Sequence, residues 1–287
     1  MAVDIGSVGL WTPSWDWNPD SSEHREAIAE LDTLGYGALW LGAAGGDLAL
    51  VSGLLDASER IVVATGIVNI WTHDAAELAA VHDRLSTAHL DRLLIGVGTS
   101  HAPAVEAAGH SYSKPYSKLV SFLDELDAAE PALLPESRVL AALGPRTLAL
   151  AGERARGAHP YLTTPEHTAN AREILGAGPL LAPEQKVVLA ANADRARSVA
   201  REGVAPYLTL PNYLNNLRRL GFTDADFAEG GSDRLIDAVV AWGDLETVVS
   251  RIREHHEAGA DHVSLQVLTG EAGLPREQWR RLSGALA

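Results

Sequence analysis

Eight short apolar runs with β character recur along the chain, at Ile5–Trp11, Ala38–Leu41, Ile61–Val68, Leu93–Val97, Val139–Leu143, Ala158–Leu162, Lys186–Ala190 and His262–Val267. Most are followed by a stretch with amphipathic helical spacing. Strands buried on both faces read as continuous Val/Ile/Leu runs, and helices must cover those faces. Eight such α/β units close naturally into a (β/α)8 TIM barrel, whose chemistry sits in the loops after the strand C-terminal ends. A length of 287 residues suits one such barrel. No internal repeat, low-complexity tract or linker interrupts it, so residues 1–287 read as a single domain. The alternation breaks after the seventh run, where Pro206–Phe222 is too long for a simple connection. It reads as an inserted segment, either a helical cap over the barrel mouth or an oligomer contact.

Capping signals set the helix ends. Ser21-Ser22-Glu23 reads as a helix start and Gly35 as its C-cap. Asp47 reads as the cap of a helix over Leu48–Ser58, and a helix follows Asp74 through Leu85. A long connection, Thr99–Pro115, precedes a helix at Leu119–Glu130. Pro145 suits a first helical turn, and Thr164-Pro165-Glu166 combines a cap, a proline at N1 and an acidic first turn. A further helix reads from Leu245 to Ala258, and His255-His256 near its end read as an exposed surface favoured by the helix dipole.

Composition removes several function classes. The formal net charge of -15 argues against nucleic acid and against a polybasic membrane contact, since both demand a basic surface. There is no cysteine, which excludes disulfides, thiolate nucleophiles and Cys-type metal sites. The eleven histidines include no His-Glu-x-x-His pattern, so no metal is expected. Gly-x-Ser-x-Gly is absent as well, and Thr99-Ser100-His101 is adjacent only in sequence, which makes no dyad. The start Met1-Ala2-Val3-Asp4 lacks a basic and apolar leader, and no run approaches the roughly 20 apolar residues of a membrane span. These features read as a cytoplasmic protein.

The strand ends hold the remaining candidates. Gly144-Pro145-Arg146 and Thr163-Thr164-Pro165-Glu166-His167 open consecutive helices, whose free N–H groups, with Arg146 and His167, form a candidate anion site. Ordinary helix capping accounts for the same residues equally well. Gly66, Gly96 and Gly98 suggest close approach of a flat ligand to backbone, and Trp11 and Trp71 stand where they wall such a pocket.

Taken in order, these strand ends resemble the bacterial luciferase-like superfamily, especially its deazaflavin (coenzyme F420)-dependent oxidoreductases. The resemblance covers nearly the whole chain. Its most specific parts are Gly35-Tyr36-Gly37-Ala38-Leu39-Trp40, Thr65–Ile70, Arg92–Ser100 and Gly259-Ala260-Asp261-His262, with Thr164–Thr168 and Leu210–Tyr213 in some members. It implies a non-prolyl cis peptide at Gly66-Ile67 supporting the cofactor ring, next to Val68. It also implies backbone of Gly98, Thr99 and Ser100 against the ring or ribityl chain. The ribityl and phosphate end would lie at Ala142–Arg146, including Gly144 and Pro145, and at Thr163, Thr164 and His167. Homodimers are common in the family. Some sugar-phosphate-oxidising relatives carry an acid in place of His101, Asp-His in place of Gly42-Ala43, and a lysine in place of Glu166.

The resulting expectation is an oxidoreductase that passes a hydride between F420 and a small organic substrate. His101 is the candidate proton donor or acceptor, because an imidazole titrates near neutrality. Trp11, Trp71, Asn212 and Tyr213 are the expected substrate pocket under the insertion. The alternatives are an FMN-dependent monooxygenase of the same superfamily and a non-catalytic flavin-binding barrel.

Overall fold

A computed structural model describes residues 3–89 and 92–286. Met1 and Ala2, on which part of the leader reading rests, lie outside the described residues. The strands are β1 (Val8–Pro13), β2 (Ala38–Gly42), β3 (Val62–Thr65), β4 (Val68–Asn69), β5 (Leu93–Gly98), β6 (Arg138–Leu140), β7 (Gly157–Ala158), β8 (Leu180–Leu181), β9 (Glu184–Val188), β10 (Val240–Trp242) and β11 (Val263–Val267). All their pairings are parallel. The order β10-β9-β11-β1-β2-β3-β5-β6-β7-β8, with β4 on β5, describes a sheet curled back on itself. Only Ala182-Pro183 separates β8, which pairs with β7, from β9, which pairs with β11. The two pieces act as one broken strand that closes a (β/α)8 barrel of the TIM type.

Each of the eight sequence runs holds a barrel strand, with shifted ends. The fifth and sixth strands are shorter than their runs, because backbone beyond Leu140 and Ala158 turns to cap the next helices. The seventh begins earlier, at Leu180. β10 is a three-residue addition that pairs with β9.

Two apolar layers follow from strand alternation. Trp11, Trp40, Ala64 and Leu94 are register partners across four strands, and they fill the barrel interior with Val139 and Ala182. The opposite faces, including Leu10, Leu39, Val63 and Ile95, pack against the helices. A third cluster joins the insertion to the helix Ala193–Val204 through Val199, Leu208, Tyr213 and Leu217.

Several helix readings change. The helix after β2 is Ala49–Asp56 with Leu48 at its N-cap; Asp47 instead accepts from the Ala49 N–H at 3.2 Å. The connection at Thr99–Pro115 contains a short helix, Ala102–Ala107, and the following helix is Pro115–Ala128. His255 is fully buried, not exposed: its Nδ1 lies 2.8 Å from Thr168 Oγ1 and its Nε2 2.9 Å from Gln185 Oε1. A helix pressed against the sheet buries its last turn too, so the dipole argument gave way to packing. Among the described residues, no helix is long and apolar enough to cross a membrane.

Candidate functional site

The insertion begins with a 3₁₀ segment, Ala205–Thr209, and continues as the helix Pro211–Arg219, so it is a helical cap. Residues three or four apart share a helix face, and here Asn212, Asn216 and Arg219 make a polar stripe. The Asn212 side chain stands close enough to His101 to favour its protonated form. Asn216 is buried, with its Nδ2 unpartnered. The Arg219 guanidinium lies 3.6 Å from where a Cβ on Gly144 would stand. One helix therefore reaches from the end of β5 to the start of the helix Pro145–Arg154.

His101 stands at the N-cap of the helix Ala102–Ala107. Its ring is 5.4 Å from that of Tyr213, its Nδ1 is buried without a partner, and burial holds its pKa below the usual imidazole value. It is therefore neutral at pH 7. Tyr213 continues the aromatic contacts to Tyr207 (5.1 Å) and Tyr161 (6.1 Å), and Tyr161 to Trp11 (4.9 Å). Of the four pocket residues read from sequence, Trp11, Asn212 and Tyr213 thus share this cluster with His101. Trp71 does not join it. Its Nε1 donates to the Thr99 carbonyl at 2.9 Å and its ring packs on Tyr112, so it braces the β5 loop.

The glycines divide by what occupies their missing side chains. A Cβ on Gly96 would stand 2.0 Å from the Thr65 carbonyl, and one on Gly98 would meet Ala141 and Ile67. At both, the missing side chain makes room for packing within the chain. A Cβ on Gly66 would meet Trp11 Nε1 at 2.8 Å and His159 Nε2 at 3.1 Å, two buried polar atoms without partners. Trp11 also fills the space beside Gly42, where a Cβ would lie 2.2 Å from its indole. The Gly66–Ile67 peptide is cis, Val68 is buried, and Ser100 has a positive φ of 54°.

At the ends of β6 and β7 the anion candidates converge. Gly144 and Pro145 open one helix with no side-chain cap, and Ala142 is buried beneath them. Thr164 caps the next helix, its Oγ1 accepting from the His167 N–H at 3.2 Å. His167 Nε2 donates to the Leu143 carbonyl at 3.0 Å, leaving Nδ1 buried and unpartnered, as is Thr163 Oγ1. Burial lowers the His167 pKa, with nearby Arg219 adding to that. Arg146 is exposed, with its guanidinium stacked 3.6 Å over Tyr116.

Sequence reasoning missed Arg219 and Asn216, which the i, i+3 and i+4 spacing from Asn212 in the insertion could have marked. It also missed a fully buried Glu184–Lys186 ion pair at 3.1 Å. Lys186 Nζ donates further to Gln266 Oε1 at 2.8 Å and lies 3.8 Å over the Tyr161 ring. The signal was Glu-Gln-Lys placed inside a strand closed on both faces. Lys186 was read as the edge of an apolar run, whereas β9 begins two residues earlier.

A sequence profile described as luciferase-like monooxygenase matches residues 7–262. No curated protein sequence matches the chain. Among solved structures, an F420-dependent secondary alcohol dehydrogenase in complex with an F420-acetone adduct superposes with a TM-score of 0.75 at 14% identity, covering 99% of this chain and 100% of that one. The coenzyme F420-dependent tetrahydromethanopterin reductase of Methanopyrus kandleri gives 0.75 at 18% identity, covering 98% of each chain. The oxygenating constituent of 3,6-diketocamphane monooxygenase from Pseudomonas putida, in complex with FMN, gives 0.64 at 16%, covering 98% and 96%. At such identities the structures share the fold. The profile spans most of the barrel and all but its last strand, and the chain belongs to the luciferase-like monooxygenase family, a family of enzymes.

Proposed function

We propose that this enzyme transfers a hydride between coenzyme F420 and a small organic substrate at the barrel mouth. The carrying observation is a concentration of unmet polar atoms. Buried side-chain polar groups nearly always have partners, yet Trp11 Nε1, His101 Nδ1, Thr163 Oγ1, His167 Nδ1 and Asn216 Nδ2 have none. These five lie at or just past strand C-terminal ends or in the insertion, as does His159 Nε2, and Arg156 Nη1 and Trp279 Nε1 are the two such atoms elsewhere among the described residues. Thr163, Asn216, Arg219, Arg146 and the uncapped helix start at Gly144 supply donors for a phosphate-bearing ribityl tail. These residues fit such a group. Gly66, Ile67, Thr99 and Ser100 would line the ring end, and His101 is the residue placed there to hold or release a proton.

A deazaflavin, when bound, supplies the two-electron carrier. The chain's own work is orientation, exclusion of water under the insertion, and proton handling at His101. Two of the similar structures are F420-dependent enzymes, each at a TM-score of 0.75, which supports the F420 reading, and the FMN complex at 0.64 is the basis of the alternative.

The test is a titration of the purified protein with F420 and, separately, FMN, read by fluorescence quenching. Tighter F420 binding is expected. Tighter FMN binding turns the reading to a monooxygenase, and binding of neither overturns it. With a substrate in hand, His101→Ala is expected to slow turnover by about 10²–10⁴-fold, the usual span of general acid–base catalysis, with cofactor affinity unchanged. Unaltered kinetics would remove His101 from the chemistry.

A further inference from the structure

Beneath the tyrosine cluster, Gln266 on β11 is the register partner of Lys186 on β9. The Gln266 Oε1 atom accepts from Lys186 Nζ and from the Tyr161 hydroxyl, each at 2.8 Å. An ammonium has only donors, so the carboxamide cannot be turned the other way. Its NH2 must occupy the opposite branch. Gln266 is half-buried, and its Nε2 has no partner yet is not among the sealed, unpartnered polar atoms. That amide therefore faces reachable space.

The space is a cavity of about 200 Å³ between the ends of β1 and β11, lined by Gln266, Trp11, Val199 and Leu268. Asp16, Glu202 and Glu271 also line it, with no lysine or arginine among the lining residues. Liquid water takes about 30 Å³ per molecule, so a solute of roughly seven non-hydrogen atoms fits. The buried Lys186 charge adds little positive field here, because Glu184 neutralises it.

We propose that this cavity is the substrate's recognition site, that Gln266 Nε2 donates to a carbonyl oxygen there, and that the Glu184–Lys186 pair and Tyr161 are positioning residues which fix the amide. The acidic lining selects uncharged or cationic carbonyl compounds and rejects carboxylates and phosphates. Its identity as the substrate site deepens, and rests on, the oxidoreductase reading above; the binding itself does not need the cofactor.

The chain has three glutamines, Gln185, Gln266 and Gln278, so the side-chain amide signals of the ¹⁵N-labelled full-length protein are few. Cyclohexanone is titrated into cofactor-free protein, with cyclohexanecarboxylate as the charged comparison. The ketone is expected to shift the Gln266 amide pair at millimolar concentration, and the carboxylate to bind at least tenfold more weakly. Gln266→Met should weaken the ketone at least tenfold. Glu184→Gln combined with Lys186→Met, which frees the amide to rotate, should weaken it several-fold, leaving F420 affinity unmoved. An unshifted Gln266 amide in the wild-type protein overturns the proposal without any variant having to fold, as does equal binding of the carboxylate. Failure of F420 and FMN to bind, with the ketone still seated on Gln266, would instead overturn the oxidoreductase reading alone.

Discussion

Two sectors of the barrel mouth solve the problem of buried polarity in opposite ways. At the ends of β6 and β7, helix starts and single side chains leave donors and acceptors unmet: Thr163 Oγ1, His167 Nδ1 and the uncapped start at Gly144. At β9 and β11 nearly every polar group is matched within the chain, as in Glu184–Lys186–Gln266–Tyr161 and His255 with Thr168 and Gln185. Under the proposed function the first sector keeps those groups free for something brought from outside, and its cations are partly exposed. The second is a preorganised frame in which each group fixes its neighbour. Acid and lost partners therefore threaten the second sector, whereas salt and truncated side chains act on the first.

The largest expected effect is of acid on three buried histidines, two of which, His255 and His262, have both ring nitrogens matched within the chain. Burial lowers the pKa of His159 and His262 to about 4 and that of His255 to about 3, against 6.5 for the free side chain. Above pH 6.5 both folded and unfolded chains carry these rings neutral, so they contribute no pH dependence. Below it the unfolded chain binds protons that the folded one refuses, and stability must fall between pH 6.5 and about 4. Urea denaturation at pH 7.5, 6 and 4.5 checks this; equal midpoints would mean that the rings are not held neutral.

Next in size is removal of one partner of the buried pair. Lys186→Met leaves Glu184 uncompensated and should cost about 3–5 kcal/mol. Adding Glu184→Gln should recover most of that loss, because an absent buried pair is far cheaper than half of one. Calorimetric midpoints of the two variants decide, and an equal loss in both would make the pair ordinary packing.

In the open sector, Arg219→Ala should leave stability unchanged and weaken F420 by about 1.5–3 kcal/mol, the range for a hydrogen bond to a charged group. Its contribution should shrink as salt is raised. Unchanged affinity would assign the tail elsewhere. The smallest effect is that of Thr164→Ala, which removes a helix cap worth about 1 kcal/mol and should appear as a small drop in midpoint.

The same division explains what could be read from sequence. The β6 and β7 ends were legible because their parts are contiguous: a cap, a proline and a charge within five residues announce a helix start before any fold is known. All eight strands were legible for a similar reason, since continuous apolar runs report two-sided burial. The matched sector was not. Gln266 meets Lys186 only through β-register, 80 positions away in the chain, and Tyr161 meets Gln266 across 105. His255 was misread because local dipole logic ignores what the helix presses against. At Gly96 and Gly98 a missing side chain looks the same in sequence whether a ligand or Ile67 stands in its place.

The helix Pro211–Arg219 has one more implication. Its nine residues hold the neighbour of His101, the aromatic plug Tyr213, and the guanidinium beside Gly144, whereas the barrel strands supply the fixed frame below. Under the proposed function, proton handling at His101 and grip on the cofactor tail are thus inherited together, in one short stretch of the gene. Substitution at its exposed positions Asn212 and Arg219 would retune both at once, whereas Tyr213 and Leu217 are held by the core they share with the helix Ala193–Val204.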